Sequence, residues 1–321
     1  MGAWAVILAA PLWALAGPTD LDPPAKSGSI VVNGTVIDFE MLGAAVSDPG
    51  NYDWWYGCSP TSAGMMMCQY DRNGFDNLIP GGLAEPNSYG GGGGLDYNGD
   101  PTPDLLCNKA IASAEHIADF WVAYGQKNND PLGSGRTLPG EFNCLADFMG
   151  TNQDMPDPNN SNSDGGTTFF NFTDGSPIYT SDLEYYGIEH RSGMYGIYEY
   201  VNYAGYEVVD IYNQYVDALG KTYGFTLAQY MAEIDAGRPV LIHIEGHTML
   251  GYGYHDDDPN IIDVYDTWNP NGMNPGTMTW GGTYGGAPHR SVTVLVIPEP
   301  TTLGLLGTGL LAALRRRRRL A

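Results

Sequence analysis

Hydrophobic and polar positions sort the chain into a few clear segments separated by long polar ones. The sharpest begins at Thr226, which is placed to cap a helix. Leu227, Tyr230, Met231 and Ile234 form an apolar stripe, and Gly237 supplies a left-handed stop. Arg238-Pro239 then leads into Val240-Leu241-Ile242-His243-Ile244, a strand. Gly246 to Tyr254 continues as a second strand, and after a polar turn at Asp256 to Asn260, Ile261 to Asp266 reads as a third. A helix followed by a small antiparallel sheet is an α+β architecture.

Earlier in the chain, Ser29 to Ile37 reads as a β-hairpin with Asn33-Gly34 as its type I′ turn. Thr61 to Cys68 is small or flexible and apolar, which predicts a helix buried on most sides. Leu106, Ala110, Ala114, Ile117 and Trp121 predict one amphipathic helix over Leu105 to Tyr124, with His116 on its surface. Gly74 to Leu95, with the run Gly90 to Gly94, and Asn128 to Asp182 read as loop, apart from a short helix near Leu145 to Met149. Met194 to Tyr206 fits a strand or a short helix. Its aromatics read as packing, with a sugar-binding platform left open.

Charge narrows the partners. With Arg315 to Arg319 set aside, nine basic residues face 37 acidic ones, a surface that repels nucleic acid and anionic lipid and keeps an exported protein soluble. Met1 to Ala16 has an apolar run and ends in Ala14-Leu15-Ala16, which predicts a signal peptide over residues 1–16, although no Lys or Arg precedes the run. Export permits disulfides, and Cys107 with Cys144 is the pair to choose if Cys58 stays unpaired. No cysteine pair has zinc-finger spacing.

Candidate chemistry gathers at Trp54-Trp55-Tyr56-Gly57-Cys58-Ser59-Pro60. Ser59 is suited to cap the first turn and Pro60 to the first helical position, so Cys58 stands just outside a helix start, where the dipole favours a thiolate. A nucleophile needs a base. His247 leads a strand directly after Gly246, and Asp266 ends the neighbouring strand, from where its carboxylate reaches the imidazole and fixes its tautomer. His243 is the competing base, while His255 reads as solvated and His289 as a surface-loop residue. Asp96, Asn98 and Asp100 resemble the opening of a calcium loop. Pro101 replaces the expected glycine, so a polar turn is the preferred reading and no cofactor is expected beyond this weak calcium candidate.

Three blocks together carry a family resemblance: Gly57-Cys58-Ser59-Pro60-Thr61-Ser62-Ala63-Gly64-Met65, Glu233-Ile234-Asp235-Ala236-Gly237-Arg238-Pro239-Val240, and Gly246-His247 with Asp266. They resemble the papain-like cysteine peptidases, nearest the branch of bacteriocin-leader-processing (C39-like) domains. The resemblance implies a Cys-bearing helix packed against a C-terminal antiparallel sheet. It also implies Cys58 as nucleophile, His247 as general base and acid, Asp266 as orienting carboxylate, and a peptide or protein substrate. Asn269 is the alternative orienter. The family places a glutamine shortly before the cysteine to stabilise the oxyanion. This chain has none there, and Asn51 is the stand-in amide.

A second resemblance lies at residues 298–321. Pro298-Glu299-Pro300, a mostly apolar run from Thr301 to Leu314 and then five arginines resemble a PEP-CTERM sorting signal. This implies transient anchoring in the inner membrane, processing by an exosortase, and a final place at the cell surface or in the extracellular matrix. The resulting organisation is a signal peptide over 1–16, a peptidase domain over 25–297 with a loop-rich insertion at about 74–200, and the sorting segment over 298–321. Two readings from other classes stand beside it: a catalytically inactive surface or matrix binding protein on the same fold, and acyl transfer by the same residues to an amine in place of water.

Overall fold

A computed structural model describes residues 27–32, 35–40, 52, 55–81, 106–119, 142–151, 166–255, 257–258, 260–268 and 276–298. The chain divides into two compact units, Met1–Met41 and Leu42–Ala321. In the first, β1 (Ser27–Val32) and β2 (Thr35–Glu40) pair antiparallel with Val32 opposite Thr35, the register that a two-residue connection imposes. Asn33-Gly34 itself lies outside the described residues, as do the signal-peptide segment and the calcium candidates Asp96, Asn98 and Asp100.

The second unit is α+β. Its helices are α1 (Cys58–Arg72), α2 (Leu106–Ile111), α3 (Ala114–Asp119), α4 (Leu145–Phe148), α5 (Thr180–Tyr186), α6 (Gly193–Tyr203) and α7 (Leu227–Asp235). Its strands are β3 (Ile178–Tyr179), β4 (Asp210–Tyr215), β5 (Val240–Ile244), β6 (His247–Tyr254), β7 (Ile261–Tyr265), β8 (Gly276–Thr279), β9 (Thr283–Tyr284) and β10 (Ala287–Val296). They form one sheet in the order β3-β4-β10-β5-β6-β7-β8, with β9 also pairing β10, and every pair is antiparallel.

The period-two alternation of the strands builds two cores. Leu241, Leu250 and Leu295 join Met65, Met66 and Ile197 on the α1 side. Val240, Ile242, Val292 and Val294 join Tyr230, Met231 and Ile234 of α7 on the other. Helix α7 starts and stops where its residues predict. Thr226 Oγ1 accepts from Gln229 N–H at 3.2 Å, Gln229 Oε1 accepts from Thr226 N–H at 2.8 Å, and Gly237 follows with φ 75°.

Helix α1 is buried from Ser59 to Asp71, so its polar side chains need partners in the sheet. Ser62 Oγ donates to the Thr248 carbonyl at 3.0 Å near one end, and Tyr70 OH donates to the Leu295 carbonyl at 2.6 Å near the other. These bonds fix the helix on β6 and β10 at a set height, and the first residue of the helix with it.

The middle of the chain is more helical than its composition suggests. Leu106 to Asp119 is two short helices, because Ser113 Oγ accepts from His116 N–H at 3.1 Å and so starts α3 where a single helix would run on. His116, expected on the surface, is buried. Residues 193–203 form a helix, α6, pressed so tightly on α4 that a Cβ on Gly196 would lie 2.0 Å from the Phe148 carbonyl oxygen. None of the four cysteines forms a disulfide. Cys144 donates instead to Asp147 Oδ2, and Cys107 lies in the core beside α1.

Candidate active site

Cys58 is the first residue of α1, half-buried, and the turn that presents it is strained. Tyr56 has φ 64° and Gly57 φ 133°, a left-handed pair directly before Cys58. Thr61 holds this turn: its Oγ1 accepts from Trp55 N–H at 2.9 Å and lies within donating distance, 2.6 Å, of the Gly57 carbonyl. Ser59 therefore sits inside the helix, and its hydroxyl meets Thr248 Oγ1 at 2.8 Å and does not cap. Gly57 takes the cap position with backbone geometry that side chains rarely adopt.

His247 opens β6 after the two-residue connection Glu245-Gly246, in which Gly246 has φ 79°. Its Nε2 lies 2.5 Å from the main-chain carbonyl oxygen of Asp266. A carbonyl only accepts, so Nε2 carries the hydrogen and Nδ1 remains for Cys58. Trp268 stacks on the ring at 4.1 Å and 24°, fixing its plane. Burial pushes the Cys58 thiol up, yet the hydrogen bond and charge of His247, with smaller help from Thr248 and Ser59, bring the net pKa below the ordinary value. Burial pulls His247 down, but Cys58 and then Asp266 raise it overall. The two shifts together favour a thiolate–imidazolium pair.

The carboxylate of Asp266 does not perform the task expected of it. Its Oδ1 accepts from Trp268 N–H at 3.0 Å and its Oδ2 accepts from Tyr284 OH at 2.5 Å. The cause is local. Thr267 has φ 63°, so the chain reverses after Asp266, turning the carbonyl to the imidazole and folding the side chain onto the following amide. Asn51 and Asn269, the candidate oxyanion amide and alternative orienter, lie outside the described residues.

The competing histidines have other partners. His243 lies on β5, with Nδ1 at 3.0 Å from Thr248 Oγ1 and Nε2 at 2.7 Å from Thr293 Oγ1, and burial followed by the neighbouring His289 lowers its pKa to about 3. It is a neutral structural link behind Ser59. His289 is fully buried on β10 and not in a surface loop; burial lowers it to about 3 as well. His255 is half-exposed and bonds Asp263 at 2.8 Å. Three supporting residues went unnoticed in the sequence: Thr248, which joins Ser59 to His243, Tyr284 and the stacking Trp268. A tryptophan two residues after a candidate orienter was the one available signal.

The cleft over this group has a volume of about 490 Å³ and is lined by Cys58, Phe169, Asn171, Glu245, His247 and Trp268, among others. Asn171 Oδ1 is buried without a partner among the described residues, an acceptor available to a bound N–H.

Comparison with known proteins speaks to the other end of the chain. The model of the PEP-CTERM protein-sorting motif matches residues 296–319. The chain carries a PEP-CTERM sorting signal. It implies exosortase-dependent export toward the cell surface. The PEP-CTERM match begins at Val296, the last residue of β10. None of the curated proteins and none of the solved structures matches the chain. Among the described residues no helix is long and apolar enough to cross a membrane, and Thr301 to Leu314 lies outside them.

Proposed function

We propose that the chain is an exported cysteine peptidase on a papain-like fold, delivered to the cell surface by its sorting signal. One observation carries this reading: Cys58 at the start of a buried helix faces His247, whose other nitrogen is tied to the Asp266 carbonyl at 2.5 Å. The Cys58 thiolate attacks the carbonyl carbon of the scissile peptide. The Cys58 N–H, at a helix end where amides lack intrahelical partners, faces the developing oxyanion. As the C–N bond breaks, His247 gives its Nδ1 proton to the leaving amine and a thioester remains. Water then attacks the thioester, His247 takes its proton, and the acid leaves with Cys58 restored to a thiolate. Asn171 offers its unpaired Oδ1 to a substrate N–H in the cleft.

The test is alkylation of Cys58 against pH, paired with a thiol-directed peptidase probe. An ordinary thiol with a pKa of about 8.5 is thiolate in under ~1% of molecules at pH 6. Cys58 is expected to alkylate readily at that pH, and His247→Ala to slow it by roughly two orders of magnitude. Probe labelling is expected to vanish in Cys58→Ala. A Cys58 that reacts no faster than a free thiol removes the dyad. A reactive Cys58 in a protein that cleaves nothing in a diverse peptide library removes the peptidase and keeps the dyad.

A further inference from the structure

Away from the cleft, α3 and α4 bring three metal-binding side chains together. A ring nitrogen of His116, the Sγ of Cys144 and a carboxylate oxygen of Asp147 lie within 4.8 Å of one another, and all three residues are buried. Cys144 and Asp147 stand three residues apart at the start of α4, and therefore on one face of it. His116 Nδ1 pairs with Asp147 Oδ1, and Cys144 Sγ donates to Asp147 Oδ2 at 3.2 Å.

Hydrogen bonding meets only part of the cost of withdrawing these groups from water. His116 Nε2 is buried with no partner among the described residues. Whichever protonation state the ring takes, that atom has no partner among the described residues. Nδ1 is the ring nitrogen turned to Asp147 and the one available to an ion there. Next to the group, Asn143 gives its main-chain N–H to Asp147 Oδ2 at 3.3 Å, and its own Oδ1 is also buried and unpartnered among the described residues.

We propose that His116, Cys144 and Asp147 bind a divalent transition-metal ion of the zinc class. One nitrogen, one thiolate sulfur and one carboxylate oxygen are a donor set that zinc accepts and that calcium and magnesium do not favour. Binding releases the Cys144 thiol proton to solvent, and one ring proton as well if His116 starts as an imidazolium. Water or the Asn143 side chain completes four-coordination. The ion joins α3 to the start of α4. It also lies close beneath the nucleophile's turn, because the His116 ring packs edge-on against Tyr56 with centroids 4.4 Å apart. The site does not depend on the peptidase reading.

The experiment uses the full chain. Metal content is measured by mass spectrometry after desalting, and the chelator-stripped protein is then titrated with cobalt(II), whose thiolate charge-transfer band reports sulfur ligation. A single equivalent of metal is expected, with a cobalt band that persists in Cys58→Ser and is lost in Cys144→Ser and His116→Ala. Zinc is also expected to raise the melting temperature of the stripped wild-type protein. If the two site variants fail to fold, the wild-type and Cys58→Ser spectra still decide. Absence of bound metal together with absence of a cobalt band in the wild type overturns the proposal. A band that survives Cys144→Ser, or one that disappears in Cys58→Ser, overturns it too.

Discussion

Replacing Asp266 by asparagine separates a main-chain orienter from a carboxylate orienter. The imidazole is held by the Asp266 carbonyl, which the substitution leaves in place. Asparagine can still accept from Trp268 N–H through its oxygen, and its amide can donate to the Tyr284 hydroxyl. What disappears is the charge, the weakest of the influences that raise His247. Losing it is expected to slow Cys58 alkylation at neutral pH by no more than roughly tenfold. Asp266→Ala is a different perturbation. It removes two hydrogen bonds to a charged acceptor, worth about 1.5–3 kcal/mol each and less where solvent reaches them, so the turn is expected to lose about 2–4 kcal/mol. The imidazole is then less well placed, and alkylation is expected to fall by roughly 10²-fold. The assay is the pH profile of Cys58 alkylation, read by mass spectrometry, with melting temperature measured on the same samples. If Asp266→Asn slows alkylation as much as His247→Ala does, the carboxylate holds the imidazole and the main-chain account fails.

Three further outcomes are expected. His243 and His289 are buried neutral with pKa values near 3, against about 6.5 in the unfolded chain. The unfolded state binds more protons between those values, so their contribution is full above pH 6.5 and drains away as pH falls toward 3. Melting temperature is expected to drop between pH 7 and pH 4.5, and a flat profile would remove this account. Gly196→Ala gains about 1 kcal/mol of helix propensity but drives a methyl into the Phe148 carbonyl, so α6 and α4 must separate, and a net destabilisation of about 1–3 kcal/mol is expected in denaturant titration. In the native host, the mature protein is expected to end near Pro300, and mass spectrometry that finds Arg315 to Arg319 on surface material would refute the processing step.

The legible parts of this fold are those whose residues state their own geometry. Helix α7 was readable because Thr226 and Gly237 are cap and stop residues that bracket an apolar stripe. Strands β5 and β7 followed from short apolar runs, and Cys58 from its place at a helix start. Strand β10 escaped notice because its first half, Ala287 to Arg290, holds proline, histidine and arginine and hides the valines after it. The role of Asp266 was misassigned for a deeper reason. Every residue has a carbonyl, so no residue type announces that its main chain is the partner. Burial of His116 and His289 was equally silent, since a histidine reads alike in a core and on a surface until its neighbours are known. The helices of the Gly- and Asn-rich middle depend on close packing, as at Gly196, which composition does not express.

The junction between sheet and sorting segment has a mechanical consequence. Strand β10 runs between β4 and β5, pairing Ser291 to Val296 with one and His289 to Thr293 with the other, and the sorting motif begins at its last residue. A tether held at the cell surface through a C-terminus near Pro300 pulls on the end of an interior strand. Such a load shears both ladders at once, where the same load on an edge strand would open one ladder. Drag on the surface-attached protein is thus borne by the strand best placed to resist it, and the fold yields there only when the sheet itself is broken.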